Sequence, residues 1–342
     1  MITKLKMTIR AACHSFVRVC CAEAVLLIAS SVPAQNLFEA DFGSDNIYEF
    51  TPGGAQSVFA SGLDGPNGLA FNSTGDLFET DWYSGKIYEF TPTGVRSTFA
   101  SGLSGPWGLA FNSSGDLFEA DYYSGNIYEF TPDGTRTVFA SGLAGPASLA
   151  FDSTGNLFEA DLSGYVYEFT PSGVRSTFAN WTVTSLAFDG AGNLFAGNPL
   201  TGYIDIFTPS RVESIFASGL YQLEGLAFNS VGNLFVGGSV SGCIYEFTPN
   251  GVQSTFATGL DQPFALAFQG ESLPVPEPSV LGLLTIGATI LFLVVRRIHI
   301  TGLTPRWSQR RLPLEFMDGL GYTTVIEPVE PLARRRGSAL DR

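Results

Sequence analysis

Histidine and cysteine are nearly absent from the long central part of this 342-residue chain. The two histidines, His14 and His299, lie towards its ends, and three of the four cysteines lie within the first 21 residues, so that Cys243 is the single thiol in between. A lone cysteine forms no intramolecular disulfide. Without histidine, neither a Ser-His-Asp triad nor a Cys-His pair can be assembled there. Any catalysis by this part of the chain would depend on carboxylates.

Basic residues are also scarce. Between residues 35 and 279, 26 acidic residues stand against five basic ones, which gives a net charge of −21. A surface this acidic repels a phosphate backbone and argues against nucleic-acid binding. The sign reverses after Val295, where nine arginines stand against five acidic residues. The net charge of −14 for the whole chain therefore averages two unlike regions.

The central part is one repeated unit. An "EFTP" element recurs with steps of 40, 40, 39, 38 and 40 residues. Its phenylalanines are Phe50, Phe90, Phe130, Phe169, Phe207 and Phe247. In the copy that starts at Gly108, the runs "GLAF", "DLFEAD", "IYEF" and "TRTVFA" are separated by turns rich in Gly, Pro, Asn and Ser. Such runs predict four antiparallel strands, which make one blade of a β-propeller.

The ends of the repeated region predict a closed ring. The first copy begins at Asn36 with "NLFEAD", the second strand of a blade, and the last copy ends with the first strand "FALAFQG", residues 264–270. Pairing these two strands would complete a blade and leave no open edge. Six "LAF" strands are present, so we predict an all-β, six-bladed propeller with four-stranded antiparallel blades. One hydrophobic helix is expected near the C-terminus.

The repeat "PxGLAFNSxGDLFEADxxSGxIYEFTPxG" resembles the NHL-type repeat and the related virginiamycin B lyase-like and gluconolactonase-like six-bladed propellers, over about residues 36–270. The resemblance implies the fold, but this fold serves lyases, lactonases and binding modules alike. Virginiamycin B lyase-like members depend on histidine, which the repeats lack. Gluconolactonase-like members hold a divalent ion with several Glu, Asn and Asp residues on the channel rim, where this chain offers Asn67 and Glu224 as metal candidates. We therefore favour a binding module over an enzyme and expect no cofactor, with Ca²⁺ as the alternative.

One position, which follows the "GP" element, differs in every copy. Because the first strand of each blade begins where the second strand ends, this position should border the central channel. Its occupants in ring order are Phe264, Asn67, Trp107, Ala147, Thr184 and Glu224. Apolar walls with a few polar groups are typical of ligand pockets. The candidate ligand residues are therefore Asn67, Trp107, Thr184, Glu224 and Phe264, with Trp82 and Tyr122 from the adjoining turns. Drift of tolerant loop residues is the alternative explanation.

Two sets of repeated acidic residues have structural interpretations. Glu89 is expected opposite Arg96 across the "TPTG" turn, and two further copies repeat this offset. The aspartates that end "LFEAD", such as Asp81, are expected to accept hydrogen bonds from the following turn. We align them with Gly197 and Gly237 in the last two copies. A calcium site built from these carboxylates is the alternative.

Residues 1–34 are expected to be a secretory signal peptide. Four basic residues precede the apolar stretch "AVLLIASSV", and the following "VPA" ends at Ala34. A small residue at this place suits cleavage between Ala34 and Gln35. We therefore expect the protein to be exported.

Residues 272–297 are expected to be a sorting and transmembrane segment. Its motif residues are Pro276, Glu277, Pro278, Arg296 and Arg297. Residues 280–295 carry no charge, a length short of the ~20 residues that a straight spanning helix needs. The arrangement resembles the PEP-CTERM signal, which implies an exosortase-type protease as a partner. It also implies anchoring in the membrane before sorting, and then delivery to the outer surface or extracellular matrix. An ordinary membrane anchor is the alternative.

These patterns predict four parts: a signal peptide (1–34), a propeller (35–271), a sorting segment (272–297) and a basic tail without the repeat that is expected to be disordered (298–342). The expected function is that of an exported, envelope- or matrix-associated module that binds exopolysaccharide or surface proteins. Two alternatives stay open, a metal-dependent lactonase or related hydrolase and a purely structural surface module.

Overall fold

The fold consists of 24 β-strands. The structure is a computed structural model and describes residues 35–270. The strands form six antiparallel sheets of four strands each, so the prediction of an all-β, six-bladed propeller is confirmed. The predicted signal peptide, C-terminal helix, sorting segment and tail lie outside the described residues.

The blades are numbered from the first complete repeat. The closing blade contains β1 (Leu37–Asp41), β2 (Asn46–Phe50) and β3 (Gln56–Ser61). Blade 1 contains β4 (Pro66–Phe71), β5 (Leu77–Asp81), β6 (Lys86–Phe90) and β7 (Arg96–Ser101). Blade 2 contains β8 (Pro106–Phe111), β9 (Leu117–Asp121), β10 (Asn126–Phe130) and β11 (Arg136–Ala140). Blade 3 contains β12 (Pro146–Phe151), β13 (Leu157–Asp161), β14 (Tyr165–Phe169) and β15 (Arg175–Ala179). Blade 4 contains β16 (Ser185–Phe188), β17 (Leu194–Asn198), β18 (Tyr203–Phe207) and β19 (Glu213–Ala217). Blade 5 contains β20 (Leu223–Phe228), β21 (Leu234–Gly238), β22 (Cys243–Phe247) and β23 (Gln253–Thr258), and β24 (Pro263–Phe268) completes the closing blade.

Burial is greatest in the second strand of each blade and decreases outward from there. All five residues of β5 are buried, because neighbouring blades cover the second strand on both faces. In β6, Ile87 and Phe90 are buried while Tyr88 and Glu89 are half-buried. The outer strand β7 begins with three exposed residues. The repeat therefore builds its hydrophobic core between blades rather than within one.

Phenylalanine rings join each blade to the next. The ring of Phe38 meets Phe59 at 5.0 Å and Phe71 at 5.1 Å, both edge to face, and the second contact joins the closing blade to blade 1. The equivalents of Phe38 at the other junctions are Phe78, Phe118, Phe158, Phe195 and Phe235. Such aromatic pairs add ~0.5–1.5 kcal/mol each beyond the area that they bury. Each blade thus depends on its neighbours for cover.

The first and last copies close the ring as predicted. Strand β24 pairs with β1, with Leu37 opposite Phe268. The side chain of Gln35 strengthens the junction, because its amide donates to the carbonyl oxygen of Gln269 at 3.1 Å and its oxygen accepts from the backbone N–H of Ser230 at 2.8 Å. The ring therefore has no gap between its first and last copies.

The hairpin between the third and fourth strands shifts the expected pairs by one residue. The backbone N–H of Thr91 donates to the carbonyl oxygen of Val95 at 3.1 Å, so three residues form the loop where two were expected. The third of them is a glycine in the left-handed conformation, which such loops favour. Glu89 consequently lies opposite Ser97, and the predicted pair with Arg96 is wrong. The same shift occurs in the two copies that repeat the offset.

Between residues 35 and 270, no helix is long and apolar enough to cross a membrane. The uncharged stretch 280–295 is beyond this range.

Candidate functional site

The innermost strands surround a narrow central channel. The end of the ring at which these strands begin is here named the upper rim, and Pro66 at the start of β4 pairs there with Asp81 at the end of β5. A channel cavity of about 90 Å³ is lined by all six variable positions, Phe264, Asn67, Trp107, Ala147, Thr184 and Glu224. The structure thus brings these positions together. A cavity of this size holds only a few water molecules, so a larger ligand would have to bind on the rim.

Aromatic side chains cover the upper rim over blades 1 and 2. The aromatic arc consists of Trp82, Trp107, Tyr122 and Tyr123. Trp82 and Trp107 meet edge to face with ring centroids 5.4 Å apart, and Tyr122 lies 5.7 Å from Trp107. Tyr123 lies 4.8 Å from Tyr122 and is 68% exposed. Trp82 and Tyr122, which the sequence analysis named as aromatic residues of the adjoining turns, thus contact Trp107, whereas Tyr123 was missed although it follows Tyr122 directly.

A second aromatic group lies on the other side of Asn67 in the ring. Phe264 stacks on Phe42 with ring centroids 4.9 Å apart and an angle of 27° between the planes. Phe42 also lies 5.7 Å from Tyr83, which is 65% exposed. Asn67 between the two groups is buried. The sequence analysis missed Phe42, although "DF" at this turn corresponds to "DW" and "DY" in the next copies.

The glycine of the "GP" element is required where aromatic rings lie on it. A Cβ atom at Gly105 would be 2.8 Å from Cδ2 of Tyr123, and one at Gly65 would be 2.8 Å from Cδ2 of Tyr83. Both glycines have positive φ, which other residues rarely adopt. The "GP" element is therefore part of the aromatic rim and not only a turn.

The rim is open between blade 5 and the closing blade, where a cavity of about 450 Å³ is present. We name this cavity the rim pocket. Its lining residues are Gln222, Glu224, Ser239, Val240, Ser241, Gly242, Leu260, Asp261, Gln262 and Phe264. Ser239 and Val240 occupy the turn positions that carry aromatic pairs in blades 1 and 2. The pocket thus arises from the loss of two large side chains, which the sequence analysis did not notice.

Two glutamines replace the rim glycine beside this pocket. Gln222 and Gln262 have φ values of 59° and 66°. The left-handed conformation costs a residue with a side chain roughly 1–2 kcal/mol, and such outliers are frequent at functional sites. Both side chains belong to the pocket lining. The altered "QL" and "QP" elements were the sequence signal for this pocket.

Glu224 belongs to both the channel and the rim pocket. Burial raises the pKa of its carboxyl group from 4.5 to about 7, while the neighbouring Thr184 side chain lowers the pKa and offsets part of this effect. The hydroxyl group of Thr184 also donates to the carbonyl oxygen of Leu223 at 2.7 Å. Thr184 therefore positions the start of β20, and Glu224 changes its protonation near neutral pH.

Trp107 is positioned in a comparable way by a residue that the sequence analysis did not single out. The hydroxyl group of Thr80 donates to the carbonyl oxygen of Trp107 at 2.6 Å and accepts from the backbone N–H of Gly68 at 2.6 Å. Three other blades hold alanine at the equivalent position, and blades 4 and 5 hold glycine. Thr80 thus fixes the backbone of the arc's central tryptophan.

The donor set for a metal ion is small. Among residues 35–270, no group of three or more His, Cys, Asp or Glu side chains is arranged to hold a metal ion. The two metal candidates, Asn67 and Glu224, both line the channel, with Phe264 between them in ring order. They do not form the multi-carboxylate ligand set that the gluconolactonase-like resemblance implies.

The aspartates that end the second strands accept hydrogen bonds from the upper-rim loops, as expected. Asp81 accepts the backbone N–H of Ser84 at 3.2 Å and that of Asp64 at 2.8 Å. The first bond belongs to the following turn, and the second joins the preceding rim loop. Strand register places Asn198 and Gly238 at this position in blades 4 and 5. The sequence alignment of these aspartates with Gly197 and Gly237 is therefore wrong by one residue.

Four glutamates of the "LFEAD" strands are completely buried between blades. They are Glu39, Glu79, Glu119 and Glu159. Neither carboxylate oxygen of any of them has a hydrogen-bond partner. Burial raises the pKa of each well above 4.5, and the neighbouring aspartate of the same strand raises it further. Burial therefore favours the protonated form of these carboxyl groups, which are core residues rather than accessible catalytic groups.

Arginines approach three of these glutamates across a tyrosine. Tyr88 lies opposite Glu79 on the neighbouring strand, and the guanidinium group of Arg96 lies 5.0 Å from the centre of the Tyr88 ring. The charge of Arg96 lowers the pKa of Glu79, although burial outweighs it. The equivalent arginines of blades 2 and 3 also lie over tyrosines. Arg96 therefore acts on the buried glutamate and not on Glu89.

The comparisons with known proteins support the fold. No model of a protein family matches the sequence, and no curated protein matches it. A chain of a nidogen/laminin complex is similar with a TM-score of 0.64 and 18% identity, covering 70% of this chain and 100% of that chain. A catalytically inactive virginiamycin B lyase from Staphylococcus aureus with quinupristin gives a TM-score of 0.54 and 13% identity, covering 70% and 94%. A gluconolactonase-like protein gives 0.52 and 16%, covering 69% and 84%.

These structural neighbours include both binding proteins and enzymes. Six-bladed propellers of the virginiamycin B lyase and gluconolactonase-like groups are among them, so the resemblance drawn from the repeat is confirmed at the level of the fold. At identities under 25%, the similarity carries the fold and no activity.

Proposed function

We propose that this protein is an exported glycan-binding module of the cell envelope or extracellular matrix, with its binding surface on the upper rim. One observation carries the proposal, which is that the aromatic arc and the rim pocket occupy the same end of the ring. Aromatic rings can pack against the apolar C–H faces of sugars, while polar groups beside them bind hydroxyl groups. This combination suits a carbohydrate better than a purely apolar ligand.

The charge of the ring narrows the choice of glycan. Residues 35–279 carry a net charge of −21, so a polyanionic polysaccharide would be repelled. Neutral or positively charged exopolysaccharides are therefore the proposed ligands. A surface protein with a basic patch is the other partner that this charge would attract.

The envelope location rests on sequence segments outside the described residues. The signal-like residues 1–34 favour export, and the Pro-Glu-Pro motif before Arg296 and Arg297 resembles a PEP-CTERM signal that an exosortase-type protease would recognise. Fractionation of cells that express the chain, with mass determination of the mature form, tests this part. Full-length protein in the cytoplasm would contradict it.

Binding is tested with the full chain in mild detergent against neutral, basic and acidic polysaccharides, with Ca²⁺ and with chelator. We expect Trp107→Ala to weaken binding by about tenfold or more, because central aromatic residues dominate such surfaces. The control is Val95→Ala, an exposed residue in the loop between β6 and β7 at the end of the ring opposite the upper rim, which should leave the affinity unchanged. Failure to bind any polysaccharide would refute the glycan proposal and leave a protein-binding or purely structural module.

A metal-dependent lactonase or related hydrolase is the second candidate. It is favoured by Glu224, because a carboxyl group with a pKa of about 7 in a cavity suits general acid–base catalysis. Lactone hydrolysis with and without Ca²⁺, by the unaltered chain and by Glu224→Gln, tests this candidate. Turnover that disappears in the variant would favour the enzyme over the binding module.

A further inference from the structure

The rim pocket has the volume of a small-molecule binding site. Its volume of about 450 Å³ lies within the range of small-molecule pockets, roughly 300–1,000 Å³. Phe264 supplies an aromatic wall, and Leu260 and Val240 add apolar surface. The pocket adjoins the channel through Glu224 and Phe264, which line both. A ligand lying across the rim could therefore place one unit in the pocket.

The polar groups that line the pocket are rich in acceptors. Glu224 and Asp261 contribute carboxylates. Gln222 and Gln262, whose backbones are in the left-handed conformation, contribute side-chain amides. Ser239 is already occupied as a donor, because its hydroxyl group bonds the carbonyl oxygen of Gln222 at 3.2 Å. A ligand that donates several hydrogen bonds suits this lining.

Positive charge is absent from the pocket lining. In the described part of the chain, Arg96, Arg136 and Arg175 begin the fourth strands of their blades, which start at the end opposite the upper rim. Arg211 pairs with Glu168 at 2.7 Å, and the Nζ atom of Lys86 lies 3.2 Å from the hydroxyl oxygen of Tyr88. These basic side chains therefore leave the pocket carboxylates without a cationic partner.

A third carboxylate strengthens the negative potential. Asp41 accepts the backbone N–H of Asp261 at 2.7 Å. Burial is the main cause of the raised pKa of Asp41, hydrogen bonds offset part of it, and the negative charge of Asp261 adds a smaller rise. Glu224 lines the same pocket as Asp261. Carboxylates grouped in a recess with low-dielectric walls concentrate the field there. A positively charged donor would relieve this repulsion.

We propose that the rim pocket binds the ammonium group of an amino sugar, which makes a glycan with free amino groups the preferred ligand. The inference rests on the proposed glycan-binding function and specifies its sugar class. The ammonium group donates to Glu224 and Asp261, and the face of Phe264 attracts its charge. The aromatic arc binds the neighbouring sugar units.

The test compares two probes that differ only at the nitrogen, a β-1,4-linked glucosamine tetramer and its N-acetylated counterpart. Calorimetry at neutral pH with the full chain should show the free amine binding about tenfold tighter or more. Glu224→Gln and Asp261→Asn should each reduce this preference. Trp107→Ala should weaken both tetramers by the same factor. Asp133→Asn is a charge control in an exposed turn at the opposite end of the ring. It should change neither the preference for the free amine nor the affinity for either tetramer.

The possible failures are distinguishable. Equal affinity for the two tetramers, with both still weakened by Trp107→Ala, overturns the amine inference and leaves the glycan proposal standing. No binding of either tetramer overturns the amine inference, and the polysaccharide panel then decides the broader proposal. Equally tight binding of tetralysine would show that the pocket does not select a sugar. A preference that requires Ca²⁺ would assign the carboxylates to a metal and also overturn the inference.

Discussion

Glu79→Gln should flatten the pH dependence of the stability of the ring. Burial raises the pKa of Glu79 well above its ordinary 4.5. At pH values between the ordinary pKa of the unfolded chain and the raised pKa of the folded chain, Glu79 holds a proton only in the folded state. The free energy of unfolding therefore falls as pH rises through this range. The slope is about 1.4 kcal/mol per pH unit for each such group. The stabilising contribution is therefore complete below about pH 4.5 and is lost as pH rises through the raised pKa.

The unaltered protein should be strongly sensitive to alkali. Glu39, Glu119 and Glu159 share the burial and the missing hydrogen bonds of Glu79. Acting together, the four groups give a limiting slope of about 5 kcal/mol per pH unit, which is a large part of the total stability of an ordinary domain. We therefore expect the ring to be most stable in mildly acidic solution.

Urea unfolding of the full chain over a series of pH values measures this effect. The difference in unfolding free energy between Glu79→Gln and the unaltered chain should be nearly constant in acid and then grow by about 1.4 kcal/mol per pH unit. The glutamine amide lacks a hydrogen-bond partner, and this lowers the stability of the variant by the same amount at every pH. It therefore does not alter how the difference in unfolding free energy depends on pH. Glu213→Gln, an exposed glutamate on β19, is the control and should leave the slope unchanged. An unchanged slope for Glu79→Gln would refute the reasoning, since it would mean that Glu79 is ionised and compensated in the folded state.

Three further predictions concern the rim and the ring. Gly105→Ala places a Cβ atom 2.8 Å from Tyr123 at positive φ. Near-ultraviolet circular dichroism should show a disturbed aromatic arc, and urea unfolding should show a loss of about 1–3 kcal/mol in the free energy of unfolding. Gly62→Ala, where the Cβ atom would meet nothing within 4 Å, should lose less stability. Truncation before β24 should produce aggregates in size-exclusion chromatography, whereas truncation after Gly270 should not. Arg211→Met removes an ion pair whose arginine is 54% exposed, and its loss in urea unfolding should be below about 1 kcal/mol.

The blade count and ring closure could be predicted because they depend on the repeat. Strands, turns and phenylalanines recur at a nearly constant spacing, and the incomplete first and last copies complement each other. The channel positions followed from strand direction alone. The predictions of strand pairing failed where a single residue in a loop decides the register. The loop from Thr91 to Val95 holds three residues rather than two, and this shifts every pair in the hairpin.

The rim pocket could not be predicted in the same way. It exists because Ser239 and Val240 stand where blades 1 and 2 carry aromatic pairs, and because Gln222 and Gln262 adopt a conformation that their residue type disfavours. The shared residues of the repeat predict the blades, whereas this pocket depends on residues at which one copy differs from the others. The buried state of Glu79 was hidden for a related reason, since a glutamate in a strand gives no sign that the next blade covers it.

The closure of the ring by β1 and β24 also has a mechanical consequence. The chain enters β1 and leaves β24 at the same end of the ring, since Leu37 lies opposite Phe268. A force that separates the two ends would open this ladder one hydrogen bond at a time, beginning at Gln35 and Gln269, which is a weak geometry under load. A force applied through one end alone does not stretch the ladder. A ring tethered on one side only would therefore keep its upper rim assembled, and facing away from the tether, under flow or traction.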